Sequence, residues 1–147
     1  MKIGLRLFFI LGAVLASSVP AAPALAAKTW YAAPTGTGST CAQAAPCSMT
    51  TAVEEAQSGD SVLLTAGNCT LNSSLLITKS INFGGESAAT TTIEATGADL
   101  VDYTGSNASL HDFRLDTTDG LVVESGTAER VFVDNTAGSG AFACSMS

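Results

Sequence analysis

Two kinds of hydrophobic spacing run along this chain. Between Met49 and Ala56 the apolar residues Met49, Ala52, Val53 and Ala56 recur at i, i+3, i+4 and i+7, with Glu54, Glu55 and Ser58 off that face. Thr51 and Glu54 stand at capping-box spacing and Gly59 is placed to end a helix, so the pattern predicts a short helix near Thr51–Ser58. A helix so short is marginal alone and needs a surface to lie on.

Everywhere else the pattern is that of strands. A short β-prone run at Thr29–Ala32 opens the series, and turn-rich Pro34-Thr35-Gly36-Thr37-Gly38-Ser39 follows it. Runs rich in Val, Ile, Leu, Phe and Thr then recur at 61–65, 74–78, 80–84, 91–95, 99–103, 109–115, 120–124, 130–134 and 140–144. Their starts form two interleaved series. One runs Ser61, Ser80, Asp99, Gly120, Gly140; the other runs Ser74, Thr91, Ser109, Arg130. A period near 20 residues carrying two strand-like runs is the mark of a solenoid, with parallel strands stacked about 4.8 Å apart. A sandwich of hairpins would need several tight Asn-Gly or Asp-Gly turns, and only Asp119-Gly120 fits.

The expected architecture is an all-β β-solenoid of about four coils. Leu100, Leu121 and Phe142 are expected to form one inward column, and Ile93, Phe113 and Phe132 another. An exposed solenoid end offers apolar core and unpaired backbone. A one-sided apolar helix just ahead of the first coil therefore reads as an N-terminal cap.

Residues 1–26 stand apart. Lys2 and Arg6 precede the apolar run Leu7–Ala16, and Ala24-Leu25-Ala26 supplies a small-x-small cleavage pattern, together a secretory signal peptide rather than a membrane span. The expected organisation is thus 1–26 signal peptide, 27–60 N-terminal segment with capping helix, and 61–147 β-helix coils. Export implies a secreted, periplasmic or cell-surface protein in an oxidising compartment, and Cys41–Cys47 is the expected disulfide. Its rival, a structural metal site, would want tighter spacing and a nearby histidine.

Removing the leader leaves Lys28, Lys79, Arg114 and Arg130 against 13 acidic residues. Such a surface repels phosphate backbones and anionic lipid, which argues against nucleic-acid and membrane-surface partners. Polysaccharide or cell-surface components remain as partners, acidic glycans only through a bridging cation.

The segment from Trp30 to Ser87 carries a Trp-Tyr-x-x-Pro-Thr-Gly opening and a Cys-Ser ahead of an Ala-Val-x-x-Ala helix. Gly-Asp-Ser-Val-Leu-Leu and a Gly-Gly-Glu-Ser turn complete it, and Thr-Ile-Glu-Ala follows. In these features the chain resembles the start of exported bacterial right-handed parallel β-helix proteins of the pectin-lyase-like superfamily. The resemblance implies a right-handed parallel β-helix and export. It implies no single activity, because that superfamily holds lyases, hydrolases, epimerases and non-catalytic surface proteins.

Candidate chemistry centres on His111-Asp112-Phe113-Arg114-Leu115-Asp116. With Phe113 and Leu115 inward, alternation sets Asp112, Arg114 and Asp116 on one outer face. That trio could hold Ca²⁺ beside an acidic sugar and assist proton abstraction, or be a solvated face with an ion pair. Asp99 and Asp102, with Asp119 and Glu124, could stack into an acidic strip of the kind glycoside hydrolysis needs, yet no hydrolase-like Asp-Asp pair is present. His111 is the single histidine. The threonines 90–92 do not recur as an ice-binding array would demand, and Asn68, Asn72 and Asn107 head N-glycosylation triplets.

Two functions follow. The first is a non-catalytic exported surface or carbohydrate-associated module. The second is the N-terminal piece of a polysaccharide lyase or hydrolase. Cys69 and Cys144 lack an evident partner and nothing cap-like follows the last run, which starts at Gly140, so a continuation of the chain, or self-association through the open last coil, is expected.

Overall fold

A computed structural model describes residues 26–95, 101–103, 109–118, 121–123, 126–135 and 143–144. Expectations resting on the leader up to Leu25, or on Asp99, Leu100, Asn107, Asp119, Gly120, Glu124, Gly140 and Phe142, lie outside these residues.

Mostly β, the chain runs β1 (Thr29–Ala32), α1 (Met49–Glu55), β2 (Ser61–Leu64), β3 (Gly67–Leu71), β4 (Leu75–Ile77) and β5 (Asn82–Gly85). It continues β6 (Thr91–Ala95), β7 (Val101–Tyr103), β8 (Ser109–Thr117), β9 (Leu121–Val123), β10 (Thr127–Asn135) and β11 (Ala143–Cys144). Every strand pair is parallel. A seven-stranded sheet has the order β1-β2-β5-β8-β6-β3, with β10 also on β8. A four-stranded sheet has the order β11-β9-β7-β4.

The long strand β8 explains the odd order of the larger sheet. Its Ser109–His111 portion pairs with β5, and its Arg114–Asp116 portion pairs with β6. Between them Asp112 lies in the left-handed region, φ 59°. On β10, which follows β8 residue for residue, Arg130 (φ 54°) sits alongside, between the register pairs Glu129–His111 and Val131–Phe113. Left-handed backbone in non-glycine residues is disfavoured, so two in matched positions mark a bend the sheet imposes. The result is three parallel rows: β1-β2-β5 with the start of β8, β3-β6 with the end of β8, and β4-β7-β9-β11.

Register steps along the rows range from 18 residues at Asp112–Arg130 to 32 at Thr29–Ser61, where the disulfide loop and α1 are inserted. Passages through the three rows take three strands at β2–β4 and β5–β7 rather than the two expected, and two from β8 on, where one long strand spans two rows. The run that sequence reading passed over is β3, whose Gly67-Asn68 start looks like a turn. Cys69 and Leu71 nevertheless face inward at its core-facing positions.

This extra strand shifts the expected columns. Ile93 stacks on Leu115, not on Phe113, and Leu115 in turn on Val133. Phe113 lies beside Val131, and its ring meets Phe83 edge-on at 5.8 Å. Phe132, expected inside, is opposite Arg114 and 60% exposed. With Val131 and Val133 both packed against the core, alternation forces the residue between them outward. Val62, Phe83 and Leu110 form another inward column, and Leu121 is buried as expected. Each such aliphatic or aromatic side chain contributes about 1.5–3 kcal/mol by leaving water.

Two features pack against β1 at the start of the first row. Helix α1 buries Met49, Ala52 and Val53 and contacts β1 and β2. Its N-cap is Ser48, whose hydroxyl accepts from the Thr51 N–H at 3.2 Å, rather than Thr51 itself. It ends at Ala56, three residues before Gly59, which instead serves the following turn at φ 97°. Lys79 terminates it from outside: its ammonium donates to the carbonyls of Val53 (3.2 Å), Glu54 (2.6 Å) and Ala56 (2.7 Å). A cation on the last carbonyls also suits the helix dipole. The other is the Cys41–Cys47 disulfide loop. The Tyr31 N–H donates to the Cys41 carbonyl at 2.8 Å, while Cys47 and Ala33 complete two further bonds at 3.1 and 3.0 Å. The edge of β1 away from β2 is thereby occupied.

Candidate functional site

Charged side chains gather where β8 and β10 run side by side. His111 is opposite Gly84 in register, and a Cβ on Gly84 would come within 2.3 Å of the imidazole Cε1. Only glycine leaves room for the ring there. The His111 Nδ1 lies 3.0 Å from Asp112 Oδ2.

Asp112 receives a two-point grip from the neighbouring strand. Arg130 donates from Nε to Oδ1 and from Nη2 to Oδ2, the latter at 2.7 Å, and its Nη1 reaches Glu129 at 3.3 Å. The guanidinium holds the Asp112 carboxyl well below the usual carboxylate range, with partial burial opposing it and His111 assisting. Reciprocally, Asp112 pushes the Arg130 guanidinium upward.

A second cluster occupies the face beyond the bend. Arg114 donates from Nε to Asp116 at 3.2 Å and from Nη2 to Asp134 at 2.9 Å. In register, Asp116 lies between Glu94 on β6 and Asp134 on β10. Three carboxylates are thus stacked in one column, with a single arginine beside them.

The three residues expected on one outer face are therefore divided. Asp112 sits at the bend and is tied to Arg130, whereas Arg114 and Asp116 belong together on the flat face. The left-handed residue breaks the alternation that would have aligned all three. Asp102 joins Leu76 and Val122 in register, but its partners in the expected acidic strip are outside the described residues. The column Glu94–Asp116–Asp134 was missed, because its members lie on three different strands with no common spacing.

A carboxylate held this far down is a weak proton acceptor near neutral pH. Among the described residues, no group of three or more His, Cys, Asp or Glu converges to hold a metal ion. Nor, among them, is any helix long and apolar enough to cross a membrane.

Asp60 was also missed. Only 7% exposed, it accepts the Lys28 N–H on Oδ1 at 2.8 Å, and on Oδ2 the Trp30 indole and the Gln57 N–H, each at 2.9 Å. Burial works against its ionisation, but these three donors outweigh it and leave the carboxyl below its ordinary value. The Lys28 ammonium rests 3.1 Å from the Trp30 ring centre. Alongside is a cavity of about 530 Å³ lined in part by Ala26, Ala27, Trp30 and Asp60. An aspartate directly after the turn glycine Gly59, downstream of the single tryptophan Trp30, was the available signal. Cys69, a buried free thiol beneath the second row, is pushed up by that burial.

Comparison with protein-family models, with curated proteins and with solved structures found no match.

Proposed function

We propose that the mature chain is an exported right-handed parallel β-solenoid acting as a non-catalytic surface or carbohydrate-associated module. One observation carries the non-catalytic part. The carboxylates that would have to move protons are engaged by arginines: Asp112 by Arg130 on the next strand, and Asp116 and Asp134 by Arg114. Charges used in this way tie adjacent parallel strands together. The matched left-handed bends at Asp112 and Arg130 support a solenoid, in which successive coils repeat a corner. Its handedness and its export rest on the resemblance from Trp30 to Ser87 and on the leader pattern. The partner is a polysaccharide or another cell-surface component, met by an acidic, rod-like surface.

The test is to incubate the exported protein with polygalacturonate and a panel of neutral glycans, following both retention and turnover. Retention on a glycan without unsaturated products or new reducing ends is the expected result. Product formation abolished by Asp112→Ala or Arg114→Ala would overturn the non-catalytic reading.

A further inference from the structure

Among the described residues, Asp60 is the charged side chain that lies buried. Its Oδ2 takes two N–H donors, while Oδ1 takes the Lys28 backbone N–H alone among the described residues. An ionised carboxylate has acceptor capacity for about four bonds, so Oδ1 retains room for another donor. The residue before Lys28 is Ala27, which borders the same cavity. Covalent geometry keeps the Ala27 nitrogen within about 4 Å of the Lys28 nitrogen. It therefore lies within roughly 7 Å of Oδ1, close to the range where opposite charges perturb one another.

We propose that Asp60 is the receptor for the mature N-terminus: leader removal after Ala26 creates an ammonium on Ala27 that docks on Asp60 and locks the cap. This rests on the export reading above. Chemically, an endopeptidase of the export machinery adds water across the Ala26–Ala27 peptide bond. A carboxylate is left on Ala26 and an amine, protonated at neutral pH, on Ala27. Before cleavage that nitrogen is a neutral amide with one proton; afterwards it is a cation with three. The buried carboxylate thus meets its counter-charge only in the processed protein. Through Trp30 on β1 and Gln57 after α1, Asp60 already joins the strand to the helix, so the added ion pair tightens that junction. The precursor stays looser and the mature form is locked.

Among the described residues, Asp60 and Lys28 are the charged groups lining this cavity; Lys79 is taken up by the α1 carbonyls. An ion-paired α-ammonium has a raised folded-state pKa. Its stabilisation is complete below the unfolded value of about 7.7–8.0 and disappears as pH rises through the folded one. Lys28 is present in every form compared, so its contribution cancels.

The experiment takes the exported protein, confirms by intact mass that it starts at Ala27, and compares three forms. These are the protein itself, the same protein acetylated at its α-amine, and a variant with two glycines inserted after Ala26. The inserted pair moves the ammonium by up to about 7 Å. Both altered forms are expected to melt several degrees lower at pH 7 and to converge with the unaltered protein near pH 10. In Asp60→Asn, acetylation is expected to change nothing; should that variant not fold, the glycine insertion decides alone. Three superimposable melts at pH 7, or an Ala27 amine titrating in the ordinary range, would overturn the proposal while leaving export intact. A protein that is not exported, or that starts elsewhere, would instead overturn the export reading on which it stands.

Discussion

The imidazole of His111 rests directly over the α-carbon of Gly84, its register partner on the adjacent parallel strand. Any side chain at 84 must displace the ring and with it the His111–Asp112 contact. Gly84→Ala is expected to lower stability by about 1–2 kcal/mol, the cost of overpacking a tight site. In a His111→Ala background the loss should shrink to a few tenths of that. Chemical denaturation of the four proteins in this cycle measures both values, and equal losses in the two backgrounds would contradict the contact.

The two phenylalanines of the β8–β10 pair should behave oppositely. Phe113 is fully enclosed, and Phe113→Ala is expected to cost about 3–5 kcal/mol. Phe132 is largely in solvent, so Phe132→Ser should change stability by no more than about 0.5 kcal/mol. Comparable losses from the two would move β10 by one residue in register.

Helix α1 depends on a residue far from it in the chain. Lys79→Met keeps the aliphatic stem but removes the donors to three carbonyls, and is expected to cost about 1–2 kcal/mol. Ser48→Ala removes the N-cap and should cost about 1 kcal/mol. Hydrogen exchange of the Ala52 and Ala56 amides, both bonded within this helix, reports the local fraying that accompanies each loss.

Acid should expose the Asp112–Arg130 tie. The Asp112 carboxyl is depressed in the folded chain relative to 3.8 unfolded, so its stabilisation is present above that value and is lost as pH falls toward the folded one. Asp60 contributes in the same direction. Asp112→Asn is expected to be less stable than the parent at pH 7, with the difference closing progressively below about pH 4. Denaturation midpoints from pH 7 to pH 2.5 give the comparison; a constant gap throughout would show that the carboxylate charge plays no part.

Periodicity in the sequence was strong enough to reveal parallel β structure, because Ile, Val, Leu and Phe must return to the core at each pass. It was not strong enough to count strands. Gly67-Asn68-Cys69-Thr70-Leu71 has only two inward positions, and its polar start hides them among turn residues. The helix face was legible from Met49, Ala52, Val53 and Ala56. Its true ends were not, since Ser48 competes with Thr51 as cap and Lys79 acts from beyond β4. The site residues suffered for a different reason. Alternation assumes extended backbone, and one left-handed residue at Asp112 sets a bend between the buried Leu110 and the buried Phe113, so Asp112 finds its partner on β10 rather than beside Arg114. Cys41 and Cys47, separated by six residues, could be paired from proximity alone.

The sealed edge of β1 has a consequence for the order of events as the chain is made. The disulfide loop and α1 precede β2 to β11 in the chain, so the platform is supplied ahead of the strands that need it. Along the first row β2 adds to β1, then β5 to β2, β8 to β5 and β10 to β8; in the second row β6 likewise adds to β3 before β8 adds to β6. From β5 onward each strand therefore pairs with one that precedes it in the chain, whereas β3 and β4 open their rows and are joined later by β6 and β7. Assembly can proceed in one direction, from the sealed edge outward, at the pace at which the chain appears.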